Sequence, residues 1–285
     1  MRFGLCTDIR NVREVQEAGF DYIEGKLNQF ALWSEEEFEK TLELFASSSI
    51  SMETCSLLLP KTMAVLGPEY DEKALLSYLD IAFSRMDRLS CSLVVFGSGK
   101  SRNIPQGMTM QEGFLALSEV TRLIGRKAKE HGISIAIEPL NRSESNIINT
   151  LSEGAALQAV VGLDNVGLLA DAYHMRKEEE NMEKILLSAP LLHTHIALKE
   201  GRAYPTEKCG EVEEFFRMLK ASGYNGRMSI EGKSEDWKAD SLKAEEDIFQ
   251  SKQNMIRARR KKCIILIIVL VALVVILAPT LIAIL

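Results

Sequence analysis

A single (β/α)8 barrel is the fold class that the sequence predicts, on three observations. Eight short apolar runs recur between Phe3 and Glu231. Amphipathic stretches, with apolar residues spaced by three and four, lie between them. The length of 285 residues suits one large α/β domain of this kind. Strands that alternate with helices build a parallel sheet, and eight repeats are enough to close it. The competing architecture, an open doubly wound sheet, would want a glycine-rich phosphate turn after an early strand, and none stands there.

In chain order the strands are expected near Phe3–Thr7, Tyr22–Gly25, Ser51–Leu58, Leu93–Gly97, Ile133–Glu138, Val166–Asp171, Leu192–Ile196 and Arg227–Glu231. Helical patterns fall at Glu35–Ser47, Glu72–Arg88, Gln111–Glu130 and Glu211–Ala221. Two glycines mark helix-to-strand turns where a left-handed cap is expected: Gly132 after KAKEH and Gly223 after MLKAS.

Composition narrows the function classes. With 46% hydrophobic and 26% charged residues the chain reads as an ordinary globular enzyme, and a net charge of −6 argues against a nucleic-acid surface. The five cysteines, Cys6, Cys55, Cys91, Cys209 and Cys263, are far apart and odd in number, so they read as buried thiols of a reducing compartment. Met1–Asp8 lacks the charged and then apolar pattern of a signal peptide, so the domain is expected to stay in the cytoplasm.

The C-terminus differs in kind. CIILIIVLVALVVILAPTLIAIL, Cys263 to Leu285, carries no charge and is long enough to span a hydrocarbon core of about 30 Å as a helix. RARRKK, Arg257 to Lys262, flanks it on the side expected to face the cytoplasm. The expectation is a barrel over 1–250, a basic juxtamembrane linker over 251–262 and a transmembrane tail anchor over 263–285. A buried C-terminal core helix is the alternative.

Catalytic groups of such a barrel sit at the C-terminal ends of its strands. Those ends carry Glu138 after ISIAI, Asp171 closing VGLLAD, His195 inside LLHTHIA and Glu231 after RMSI. A carboxylate closing a buried apolar run must be solvated, paired or bound to a metal. Three carboxylates and an imidazole form an oxygen-rich set suited to Mn²⁺, with Co²⁺ or Mg²⁺ as alternatives, unless each is a satisfied strand-end polar group or salt-bridge member.

The stretches LVVFGSGKSRNIP, IAIEPLNRSESNIINT, VGLLADAYHM, HTHIALKEGR and GYNGRMSIEGK resemble, in order, the motifs of the sugar phosphate isomerase/epimerase family. These are the xylose isomerase-like TIM barrels that include the ketose 3-epimerases, and the resemblance runs from about Arg2 to the helix after Glu231. It implies that Glu138, Asp171, His195 and Glu231 hold one divalent metal, and that Glu138 and Glu231 also serve as the acid/base pair. It further implies substrate contacts from His174 of DAYHM, Glu144 of NRSES and Arg202 of KEGR. It suggests a dimer or tetramer as well. After HIA the family usually shows an acidic residue where this chain has Leu198, so the surroundings of the histidine or of the arginine are altered.

The chemistry agrees with this set. A proton beside a carbonyl is a very weak acid, so its removal needs the neighbouring oxygens held on a metal that stabilises an enediolate, together with a positioned base. Two carboxylates can take the proton from one face and return it on the other, and return to the adjacent carbon gives isomerisation instead. The resulting expectation is a metal-dependent isomerase or epimerase of a small sugar or sugar phosphate, tethered to the cytoplasmic face of a membrane. Two alternatives stand beside it: a membrane-anchored sugar-binding or scaffold barrel without turnover, and an endonuclease-IV-like phosphodiesterase. The latter would need several metals and many histidines, where the chain has four.

Smaller features are read as follows. His193 is expected to pack or hydrogen-bond rather than bind metal, because alternate strand residues sit a layer apart. FGSGKSR, Phe96 to Arg102, is either an anion contact or a simple turn, and it lacks the P-loop spacing. Phe30 and Trp33 are expected to pack, and His131 to cap a helix or lie on the surface.

Overall fold

The structure is a computed structural model and describes residues 1–188, 190–206 and 209–244. Aliphatic runs that are apolar on both faces pair in parallel, each with the next. The strands are β1 (Arg2–Cys6), β2 (Tyr22–Lys26), β3 (Met52–Ser56), β4 (Leu93–Phe96), β5 (Ser134–Ile137), β6 (Val166–Asp171), β7 (Leu191–Ile196) and β8 (Arg227–Ile230). β8 returns to β1, with Leu5 opposite Ile230, and this pairing closes the barrel and excludes the open sheet.

All eight expected strands are present, most of them trimmed at the C-terminal end. β3 stops at Ser56 because Leu57 turns into the left-handed region with φ 55°. β5 stops at Ile137 and β8 at Ile230, so Glu138 and Glu231 each stand one residue beyond the last paired position. That is where a barrel delivers side chains to its mouth.

The four expected helices run over Glu35–Ala46, Glu72–Arg88, Met110–Glu130 and Gly210–Ala221. Capping boxes open two of them, Ser34 with Glu37 and Thr109 with Glu112. Each long helix buries one face against the sheet, as Leu75, Leu79 and Phe83 do in one and Leu117 and Ile124 in another. Shorter helices without an amphipathic signature complete the repeats. Leu151–Val161 is largely apolar, so periodicity is silent there, and its ends are set by the Thr150 side chain and by Gly162 at φ 66°.

The tail-anchor expectation requires correction. Among the described residues no helix is long and apolar enough to cross a membrane. The linker 251–262 and the segment 263–285 lie outside the described residues. The long described helices are amphipathic barrel helices whose apolar faces are spent on the sheet, so the tethering of this domain to a cytoplasmic membrane face is withdrawn. Cys6, Cys55 and Cys91 are buried free thiols and Cys209 is a partly exposed one, while Cys263 lies outside the described residues.

Candidate metal centre and substrate cavity

Consecutive strands β5 to β8 bring Glu138, Asp171, His195 and Glu231 together, with one donor atom from each within 4.8 Å of the others. His195 is fully buried at the centre. Its Nδ1 lies 3.2 Å from Glu138 Oε1, 3.4 Å from Glu231 Oε2 and 3.8 Å from Asp171 Oδ2. Its other nitrogen, Nε2, is 2.9 Å from Glu24 Oε1.

Local structure aims each group. Asp171 ends β6 and its Oδ1 caps the following helix by accepting from the His174 N–H at 3.0 Å. Asp171 Oδ2, buried, has no hydrogen-bond partner. The Glu138 main chain is held by Arg102, fully buried, whose guanidinium donates to the carbonyls of Phe96 and Glu138 at 2.7 Å each. Gly97 leaves room for this carboxylate: a Cβ there would sit 2.1 Å from Glu138 Oε2, which would have to shift.

The electrostatics separate the two glutamates. Burial, and then the Glu231 charge, push Glu138 up. Burial acts the same way on Glu231, but the His195 and Arg202 charges outweigh it and hold Glu231 down at about 2. Burial opposes the protonated form of His195, and the Glu24, Glu231 and Glu138 carboxylates overcome it and raise this imidazole well above its usual range. Three carboxylates around one imidazole nitrogen, with one oxygen left without a donor, fit a divalent cation of oxygen-preferring type.

A cavity of about 340 Å³ opens on these groups, within the roughly 300–1,000 Å³ of small-molecule sites. Glu138 and Glu231 line it together with His174, Glu144 and Arg202. His174 Nδ1 accepts from the Asn141 main chain at 3.0 Å and from the Asn141 amide at 2.8 Å. The proton of a neutral ring therefore sits on Nε2, which is buried without a partner. Arg202 lies 4.8 Å over the Tyr173 ring, pairs with Glu231 and is 3.5 Å from Glu144. Its φ of 54° is a strained backbone state for a non-glycine residue at a functional site.

The xylose isomerase-like TIM barrel family matches residues 12–259. The chain belongs to this family. The L-ribulose 3-epimerase of Methylomonas sp. strain DH-1 is 30% identical over 226 residues, which span 77% of this chain and 76% of that protein. The ketose 3-epimerase of Arthrobacter globiformis is 24% identical over 226 residues, 78% of this chain and 76% of its own length. Among solved structures, a D-allulose 3-epimerase from Methylomonas sp. in complex with D-allulose superposes with a TM-score of 0.77 at 24% identity, covering 88% of this chain and 97% of that one. These relatives are enzymes of the isomerase class.

Within this family barrel the seven site residues expected from sequence, Glu138, Asp171, His195, Glu231, His174, Glu144 and Arg202, converge on one mouth. At the departure, the Leu198 N–H donates to the Ala203 carbonyl at 2.9 Å, and the turn between them carries Arg202 to Glu231. His193 hydrogen-bonds Glu24 at 2.8 Å and lies outside the four-residue cluster, and with Glu24 and His195 it forms a second group of potential metal donors. In FGSGKSR, Arg102 is structural, while Ser98, Gly99, Lys100 and Ser101 line the cavity. Phe30 stacks on Phe38 and Trp33 packs edge-on against Phe30, away from the cavity lining. His131 ends its helix, 2.5 Å from Asp87.

One functional group escaped the sequence reading. Glu24, inside β2, is fully buried and reaches both histidines. Its only trace in the sequence is an acid in the middle of an apolar run, YIEGK, and period-2 alternation does not say which face of the strand it takes.

Proposed function

We propose that the chain is a divalent-metal-dependent epimerase of a ketose sugar, acting at C3, the carbon beside the carbonyl. The observation that carries this reading is the convergence of Glu138, Asp171, His195 and Glu231 on one another, with both glutamates lining a cavity of monosaccharide size. The names of the relatives, ketose 3-epimerases, point the same way. The four residues would hold the cation, Mn²⁺ foremost and Co²⁺ or Mg²⁺ otherwise, by the hardness of the donor set. When bound, a divalent cation supplies positive charge that lowers the energy of negative charge developing on the substrate's carbonyl and hydroxyl oxygens.

The remaining work falls to the chain's own side chains. Glu138 and Glu231 reach the cavity from β5 and β8, three strands apart in the barrel order. One takes the proton from C3, and the other returns a proton to the opposite face, which inverts the carbon; the reverse reaction exchanges their roles. His174, fixed by Asn141, donates from Nε2 to a sugar oxygen. Glu144 accepts from a sugar hydroxyl, and Arg202 orients the substrate oxygens beside Glu231. Leu57, Leu59 and Leu140 exclude water from part of the wall. Abstraction from C1 instead of C3, with return of the proton to C2, would yield aldose–ketose isomerisation at the same groups.

The test uses the full chain stripped of metal by chelator, resupplied with Mn²⁺, Co²⁺ or Mg²⁺, and incubated with ketopentoses, ketohexoses and their phosphates. A C3 epimer formed only after metal is restored is the expected result. Bound metal with no epimer or isomer across the whole panel would overturn the reading in favour of a sugar-binding barrel without turnover.

A further inference from the structure

We infer that Glu24 is a positioning residue that fixes His195 with its Nδ1 lone pair aimed at the metal; the inference rests on the reading of His195 as a ligand. An ionised carboxylate only accepts hydrogen bonds, so a neutral His195 facing Glu24 Oε1 at 2.9 Å through Nε2 carries its proton there. Nδ1 is then left as a lone pair among Glu138, Asp171 and Glu231. Outer carboxylates that take the second ring N–H orient metal-binding histidines in this way.

Glu24 is itself locked. Its Oε2 accepts from Thr54 Oγ1 at 2.8 Å, from His193 Nε2 at 2.8 Å and from Ser229 Oγ at 2.5 Å. Tyr22 Oη lies 2.8 Å from Ser229 Oγ and extends the network by one link. These partners come from β2, β3, β7 and β8, and Glu24, Thr54, His193, His195 and Ser229 are all fully buried. With its acceptor sites filled, Glu24 is held in place between His193 and His195. The network spans the barrel and ends on one nitrogen of the cluster.

The test is Glu24→Gln, which keeps the size of the side chain and replaces one acceptor oxygen by a donor. Mn²⁺ affinity by calorimetry is expected to fall about 10–100-fold, with the circular dichroism of the fold retained. In the ¹⁵N spectrum of the wild-type protein loaded with diamagnetic Zn²⁺, His195 is expected to be protonated at Nε2 and metal-bound at Nδ1. A folded Glu24→Gln with unchanged Mn²⁺ affinity would overturn the inference. So would a wild-type His195 bound to Zn²⁺ through Nε2, a readout that stands even if the variant does not fold. A wild-type protein that binds neither Mn²⁺ nor Zn²⁺ would remove the ligand reading itself, and this inference with it.

Discussion

The two halves of the barrel are built alike and equipped differently. β5 to β8 each deliver one member of the candidate metal cluster within one residue of the strand's C-terminal end. β1 to β4 deliver none of the four. They contribute Glu24 and Thr54 from strand interiors instead, and Cys6, whose buried thiol lies 3.9 Å from Glu231 Oε1. The difference separates titratable groups gathered at strand ends from polar groups enclosed between strands. Charge is placed at strand ends where a ligand can share it, whereas inside the barrel it survives only with every acceptor site occupied, as at Glu24.

The largest expected effect falls on the half that carries the candidate cluster. Glu138→Gln and Glu231→Gln should each cut turnover by about 10²–10⁴-fold, the usual worth of a positioned acid or base, with the thermal transition retained. A wild-type rate in either variant would remove that glutamate from the chemistry and blur the contrast between the halves. Next comes metal binding. Saturating Mn²⁺ at 100 times its Kd should stabilise the fold by about 2.7 kcal/mol, read as a rise in Tm that chelator reverses. Asp171→Asn, which removes the charge from the unpartnered oxygen, should reduce that rise.

A smaller effect is expected where the halves touch, at Gly97 after β4. Gly97→Ala places a methyl 2.1 Å from Glu138 Oε2, so the carboxylate must move; the expected cost is about 1–3 kcal/mol in denaturant unfolding, together with slower turnover. Smallest is Trp33→Leu, which removes an aromatic contact worth about 0.5–1.5 kcal/mol. It should leave KM for the ketose unchanged, because Trp33 does not line the cavity. A shifted KM would mean that the loop after β2 reaches the substrate.

Legibility followed the same division. The eight strands were readable within two residues at each end, because buried parallel strands leave continuous aliphatic runs. The carboxylates of the candidate cluster were readable because an acid closing such a run is an anomaly that asks for a partner. Glu24 was not, since the outer face of a barrel strand packs under helices and is as apolar as the inner one. Alternation in YIEGK therefore does not say which way the acid points. Ser229 in RMSI is silent for the same reason. The helix Leu151–Val161 carries no polar face to set a period, and only its caps betray it. At the C-terminus a hydropathy run alone suggested a span that no described helix supplies.

The central claim is proton exchange at the carbon beside a ketose carbonyl, carried by Glu138 and Glu231 beside a divalent cation. Its most direct test is the position of deuterium after the Mn²⁺-loaded full chain is incubated with a ketose in D₂O and the recovered sugar is read by NMR. Deuterium at C3, absent after chelation and absent in Glu138→Gln and Glu231→Gln, is the predicted result. Deuterium confined to C1 would mark an aldose–ketose isomerase on the same groups and contradict the C3 assignment. No deuterium in any ketose, with metal bound, would contradict the account of the site itself.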